Sequence, residues 1–420
     1  MLPDYLKDGI HKIAKTEGFI DYGIEMKAGS NHGDNFFGVL IAVTLSGTRR
    51  QQNGDIQSDE LHLLCKTPPT NELQEKDISL TVTFNREIFM YTKILPAFVQ
   101  FQRERGLNEA DSFVSFPKMF ACEKNEENGL CSLIMEDLRP KNFQMWPKEQ
   151  TVPLEHELFV MRELGKFHAV SFTMKDQKPN DFREFKQLKD ILYNVISKKK
   201  PFKSALQKLM DRVVDTLEKP EHKKLMQNFR DSFTERMDKL KSDPYCDEFG
   251  ILTHGDCWNN NFMYQYSNEK KPLNSVYIID WQLSHYSPPV IDLLYNIFSG
   301  TDRELRTQHY ETLLKTYHTS LSETIKKLGS DPDKLYSYDN LTMQMKKYGE
   351  YALLYGPWIV ALRLAKGKDI MNVDEYIESI ARNENVEMIG IFDDETQAEF
   401  SRVVNGLLTD LVDYGYVKCE

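Results

Sequence analysis

At 420 residues the chain is long for one hydrophobic core, so two lobes are expected. With 40% hydrophobic and 28% charged residues it reads as a soluble globular protein, and a formal net charge of −11 argues against a nucleic-acid partner, which calls for a basic surface. The six cysteines, at 65, 122, 131, 246, 257 and 419, form no CxxC pair and no regular spacing, which suits reduced thiols in a cytoplasmic protein.

The first segment, "MLPDYLKDGIHKIAK", is charged throughout and has no apolar signal core. The densest early apolar run, "FFGVLIAV", is far too short for a membrane span, and none is expected. "FFGVLIAVTL" (36–45) reads as a strand that follows a glycine-bearing stretch, "AGSNHGDN" (28–35). "SDELHLLCK" (58–66) reads as its hairpin partner across a long polar loop, 46–55. "FNREIFMYTKILPAFVQFQRE" (84–104) has helical spacing, with Pro96 expected to kink or break it. Two further strands are expected at 113–123 and 129–138. From Leu154 the character changes: 154–174 is a long amphipathic helix, and 182–241 is lysine-rich and helical, with "KKKP" (198–201) a solvated charge run. Strands return near 262–266 and 275–280, and helices then dominate. No internal repeat or low-complexity tract is evident. The layout is a small β-rich lobe, a boundary near Glu136–Lys141, and a larger helical lobe, with a cleft between them as the expected ligand site.

One stretch stands out. "ILTHGDCWNNNFMY" (251–264) sets a polar cluster between apolar runs, and such a cluster is costly to bury unpaired. Some 24 residues after Asp256, the β-type run "VYIIDWQ" carries Asp280 at its end. An Asp, an Asn five residues on and a strand-terminal Asp suit phosphoryl transfer. Mg²⁺ prefers oxygen ligands, which the Asp280 carboxylate and the Asn261 amide oxygen provide. Asp256 is placed to accept the proton of an attacking hydroxyl. The plain alternative is a polar turn, which the Asp–Asn spacing and the downstream "IDW" disfavour.

Seven motifs in order, "GDNFFGVLIAV", "LLCKTPP", "FNREIFMY", "IMEDL", "LGKFHAVSF", "HGDCWNNN" and "IDWQ", make the chain similar to the arthropod ecdysteroid kinase-like proteins. These belong to the aminoglycoside phosphotransferase and choline kinase-like superfamily. The resemblance runs motif by motif over roughly residues 25–300. It implies an α+β, bilobal, protein-kinase-like fold: a nucleotide-binding lobe over 1–138, and a helical lobe over 139–420 with the catalytic loop and the acceptor pocket. It implies ATP and Mg²⁺ as cofactors. Lys66 would meet the α- and β-phosphates, paired with Glu87 in the next helix. Gly33, Asp34 and Asn35 match the "GDN" turn over the phosphates, and Glu136 to Leu138 form the hinge whose backbone reads adenine. Asp292 and His254 are expected to brace the catalytic loop, His168 to be a core histidine, and Cys257 and Trp258 to pack.

Two departures matter. Many relatives in the wider superfamily carry Glu after "IDW", where this chain has Gln282, which removes a carboxylate from any second Mg²⁺ site. HRD, DFG and APE signatures are absent, and Pro288–Pro289 follow soon after Asp280, so a protein substrate is not expected. The expected activity is phosphorylation of a hydroxyl on an ecdysteroid-like or other lipophilic alcohol. The alternatives are a choline- or aminoglycoside-type kinase and a kinase fold that binds nucleotide or ligand without turnover. A metal-dependent hydrolase built on His254, Asp256 and Asp280 lacks a second histidine ligand at usual spacing. Tyr348, Tyr351, Tyr355 and Trp358 share one helix face, and read either as core or as an aromatic wall for the acceptor.

Overall fold

The computed structural model describes residues 3–29, 38–51, 54–68, 78–125, 131–243, 245–267, 272–366, 382 and 389–419. It opens with a helix that the sequence does not announce, α1 (Asp4–Thr16), whose Leu6, Ile10, Ile13 and Ala14 are buried. Charged residues on the other face disguise that stripe in the sequence. The strands β1 (Phe19–Ala28), β2 (Val39–Arg50) and β3 (Ile56–Thr67) follow. The β2–β3 hairpin is longer than expected, because Thr48, Arg49 and Arg50 pair with Ser58, Gln57 and Ile56 and leave only a short turn. Polar cross-strand contacts hold this extension, among them Arg49 to Asp59 at 3.0 Å and Ser46 to Glu60 at 3.0 Å. Polar residues in register can therefore prolong a strand that reads as loop.

Next come α2 (Ile78–Phe89), a wide π-turn over Met90–Ile94, and α3 (Leu95–Glu104). Pro96 lies inside this continuous helical run, just after the π-turn, and the chain neither breaks nor ends there. In the π-turn the Leu95 amide reaches back five residues to the Met90 carbonyl. β4 (Met119–Lys124) and β5 (Cys131–Glu136) complete an antiparallel sheet of order β1-β2-β3-β5-β4. α1 covers one face of it, packing on Phe19, Val43, Leu45, Leu63, Cys65 and Ile134.

After a short strand β6 (Phe143–Met145), the large lobe is helical: α4 (Leu154–Gln177), α5 (Ile191–Lys198), α6 (Lys200–Thr216) and α7 (Pro220–Lys241). Four short strands, β7 (Ile251–Thr253), β8 (Phe262–Tyr266), β9 (Leu273–Ile278) and β10 (His285–Ser287), frame two loops facing the sheet lobe. The chain then runs through α8 (Val290–Gly300), α9 (Arg303–Lys327), α10 (Tyr338–Lys347), α11 (Glu350–Leu364) and α12 (Asp394–Asp413). This is the bilobal, protein-kinase-like α+β arrangement. Among the described residues no helix is long and apolar enough to cross a membrane.

The aromatic stripe is core. Tyr348, Tyr351, Tyr355 and Trp358 are all buried, and Tyr355 stacks on Tyr351 with ring centroids 4.8 Å apart. The Tyr351 hydroxyl is bound to Asp190, a largely buried carboxylate also held by Lys241 at 2.6 Å and by the Tyr193 amide at 2.8 Å.

Candidate active site

The cleft between the lobes is a cavity of about 510 Å³. It takes Lys66 from β3, Glu87 from α2, Glu136 from the end of β5, Leu138 from the connection that follows, and Asp256, Asn261 and Asp280 from the two loops of the helical lobe. The structure thus brings together seven residues that are separated in sequence. Gly33, Asp34 and Asn35 lie outside the described residues.

Lys66 is 5% exposed and Glu87 1% exposed, so their ion pair is not a solvated surface contact. The Lys66 ammonium lies 2.7 Å from Glu87 Oε2 and 3.2 Å from Asp280 Oδ1. Burial opposes its charge, but Asp280 and Glu87 outweigh burial and hold its pKa above the ordinary lysine range. The Gln282 side chain donates to Glu87 Oε2 at 3.2 Å, which ties this amide to the ion pair.

The first of these two loops starts at β7. Gly255 has φ +81°, and a Cβ there would come within 2.3 Å of the Leu283 carbonyl, so only glycine fits. Asp292 in α8, wholly buried, accepts the His254 amide at 2.7 Å and the Gly255 amide at 2.9 Å. His168 Nε2 meets the same carboxylate at 3.1 Å, and its Nδ1 meets the Tyr317 hydroxyl at 2.8 Å. His168 is therefore a satisfied core histidine. His254 Nε2 donates to the Ile279 carbonyl at 3.0 Å, and its Nδ1 accepts the Asp256 amide at 3.3 Å. Burial lowers its pKa, so it is a neutral brace linking the two loops.

Asp256 carries a donor on each carboxylate oxygen, and the Trp258 side chain of its own loop also bonds to it. The Tyr295 hydroxyl reaches Oδ1 at 2.6 Å, and Asn261 Nδ2 reaches Oδ2 at 2.8 Å. Burial pushes the Asp256 carboxyl up to about 7; the Tyr295 bond opposes this, the Asp280 charge adds to it, and the Asn261 bond opposes it again. Asn261 Nδ2 also donates to the Asp256 carbonyl at 2.8 Å. Both its partners are acceptors, so the nitrogen must face them and the amide oxygen faces away. Asp280, at the end of the β9 run, has φ 64° and ψ 68°, a left-handed conformation uncommon outside glycine and held here by its surroundings. The Ile279 amide is bound to the Asn261 carbonyl at 3.0 Å, and Trp281 is buried against His254 and Phe167 at 4.8 and 5.1 Å between centroids.

At the far wall, the amides of Glu136 and Asp137 are used by the Lys118 and His62 carbonyls. The Leu138 amide donates to no partner among the described residues. Arg139 grips Asp137 and donates to the Gly29 carbonyl at 2.8 Å, fixing the end of β1 over the cleft.

Beneath the loop, Glu157 of α4 is 1% exposed, its Oε2 has no hydrogen-bond partner, and burial pushes its carboxyl up to about 8. Neither Glu157 nor Tyr295 stood out in the sequence. Tyr295 had a usable signal: it lies one turn after Asp292 in "PPVIDLLYNIF", on the helix face that meets the loop.

The fold and these convergent side chains define the class of kinase-like phosphotransferases acting on small molecules. Within it, the chain belongs to the ecdysteroid kinase-like family, whose family model matches residues 32–330. No curated protein matches it. A crystal structure assigned as an aminoglycoside phosphotransferase from Ralstonia eutropha is similar at TM-score 0.41 and 12% identity, over 97% of this chain and 98% of that one, a likeness too slight to argue from.

Proposed function

We propose that the protein is an ATP- and Mg²⁺-dependent kinase that phosphorylates a hydroxyl group of a lipophilic alcohol, an ecdysteroid-like compound in the first instance. The observation that carries this reading is the convergence of Lys66, Glu87, Asp256, Asn261 and Asp280 in one cleft. The donor set fits the cofactors. Lys66, held charged by two carboxylates, is a ready phosphate contact once Asp280 turns to a metal. The Asp280 carboxylate and the outward Asn261 oxygen are hard-cation ligands. Among the described residues no group of three or more His, Cys, Asp and Glu gathers as a metal site, which favours this mixed carboxylate–amide pair over a zinc hydrolase centre.

When bound, Mg·ATP supplies the transferable phosphoryl group and the metal's charge. The residues of the chain do the rest. Residues 1–138 form the nucleotide-binding lobe and 139–420 the acceptor-binding lobe. Leu138 offers its free amide, and Glu136 its carbonyl, to the adenine edge. Lys66 binds the α- and β-phosphates while Glu87 keeps it in place. Gly33, Asp34 and Asn35, outside the described residues, are assigned to the phosphates on the resemblance of the "GDN" motif alone. Asp280 and Asn261 hold the metal. Asp256 orients the acceptor hydroxyl and takes its proton late in the transfer. Gln282, bound to Glu87, supports the ion pair and adds no carboxylate for a second ion. All six thiols are free, in keeping with work in the cytoplasm.

The ecdysteroid-like acceptor rests on family membership, because the stripe of Tyr351 and Tyr355 is core and lends it no support. The test is ATP consumption by the purified chain against sterol, amine and sugar alcohols. Turnover with a sterol alcohol supports the full reading. Turnover with only amine or sugar alcohols keeps the kinase and moves the acceptor class. Mg·ATP binding without turnover on any of them favours a non-catalytic binding protein.

A further inference from the structure

The Asp256 carboxylate is clamped at both oxygens: its own loop supplies Asn261 and Trp258, and one further donor comes from outside the motif. Asn261 sits in the same loop, five residues on, and fixes Oδ2. The further donor, Tyr295, comes from α8, 39 residues away in sequence. It is 4% exposed, and its hydroxyl is 2.6 Å from Oδ1, a short, charge-assisted contact. α8 thus grips the loop twice on one face. Asp292 takes the loop's backbone amides, and Tyr295, one turn later, takes its reactive side chain.

Tyr295 is itself backed. Its ring lies 5.4 Å from that of Tyr355, which stacks on Tyr351, whose hydroxyl is anchored at 3.0 Å on the largely buried Asp190. The tyrosine therefore has little freedom to swing away from Asp256. A carboxylate offers about four lone pairs, so the clamp leaves room for an acceptor hydroxyl.

We propose that Tyr295 is the positioning residue of the phosphotransfer reaction: it sets the rotation of the Asp256 carboxylate toward the acceptor hydroxyl, with the Tyr355–Tyr351 stack holding it in place. This rests on the assignment of Asp256 as the proton acceptor. Tyr295 does not exchange the proton itself. Burial, followed by the Asp256 charge, holds its phenol well above the ordinary range, so it remains a donor throughout.

The test is Tyr295→Phe, which removes the hydroxyl and keeps the ring. Turnover is followed as ADP release from Mg·ATP with the alcohol that gives the fastest release in the acceptor screen, or with water as acceptor where none does. The expected result is a fall in kcat of roughly ten- to a hundredfold. The KM for ATP and the calorimetric Kd for Mg·ATP should stay within about twofold. Tyr336→Phe, which removes another buried hydroxyl, bonded to Gln344 at 2.8 Å, controls for general loss of a core hydrogen bond and should leave kcat unchanged. In the double variant with Asp256→Asn, Tyr295→Phe should cost almost nothing further, because the two act as one unit. A kcat within twofold of the parent, a parallel loss of Mg·ATP affinity, or independent losses in the double variant would each overturn the proposal. If Asp256→Asn itself keeps turnover, the parent assignment fails; if it abolishes turnover while Tyr295→Phe does not, only the positioning role fails.

Discussion

Replacing Glu157 by Gln separates a buried charge cost from packing. The side chain is 1% exposed, and its carboxyl is raised from the ordinary 4.5 to about 8 by burial. A carboxyl whose folded pKa exceeds its unfolded one binds its proton more tightly when folded. The protein therefore has the full benefit below pH about 4.5 and loses it progressively up to pH about 8, above which the deficit is constant. The difference of about 3.5 pH units corresponds to at most about 5 kcal/mol across that window. Glutamine keeps the shape and the neutrality at every pH. Thermal unfolding of both proteins from pH 4.5 to 8.5 should give similar melting temperatures at the acid end. Toward pH 8 the variant should pull ahead by several degrees, roughly 3–10 °C. Turnover should be little affected, because Glu157 lies beneath the loop and not in the cleft. Parallel melting curves, or a variant that is less stable at pH 8, would refute the assignment of an unpaired buried acid.

Three further outcomes follow from the cleft and the stripe. Asp256→Asn should lower turnover by about 10²–10⁴ and leave Mg·ATP binding nearly intact by calorimetry; unchanged turnover sinks its role. Asp280→Ala should weaken Mg²⁺-dependent ATP binding much more than Gln282→Ala, since Gln282 is neutral and a poorer ligand for a hard cation, and equal effects in a Mg²⁺ titration would contradict this. Tyr351→Ala should destabilise the fold by roughly 3–5 kcal/mol, the scale for removing a buried aromatic ring, and lower ATP and acceptor binding together; a selective rise in acceptor KM at unchanged stability would restore it as a pocket wall.

What could be read from the sequence divides along a physical line. That Asp256, Asn261 and Asp280 meet in one cleft was legible because one short loop and one strand end carry them, and the proposed chemistry asks for those residue types at that spacing. Lys66 and Glu87 were legible through the strand-then-helix order of the resembling family. Tyr295 was not, because its contact with Asp256 spans 39 residues and is a property of how α8 docks. α1 was missed because its charged face masks four buried apolar positions. The hairpin was read short because its outer rungs are polar pairs. The stripe was legible as a stripe, but spacing alone does not say what its rings meet, and here they meet each other and Asp190.

The wide turn at Met90–Ile94 makes the spacing of one long helical rod a matter of phase. A helix advances about 100° per residue, and the surplus residue sets the angular offset between its two halves. Upstream, Glu87 points to Lys66; downstream, Phe98 and Phe101 point into the large core. Loss of one residue between them would leave every side chain chemically intact, yet carry Glu87 about 100° around the axis and off its lysine, unless the core gave way first. Insertions and deletions that would be harmless in the connection between β2 and β3 would here uncouple the ion pair from the body of the protein. Length, rather than residue identity, is the constrained quantity in that segment.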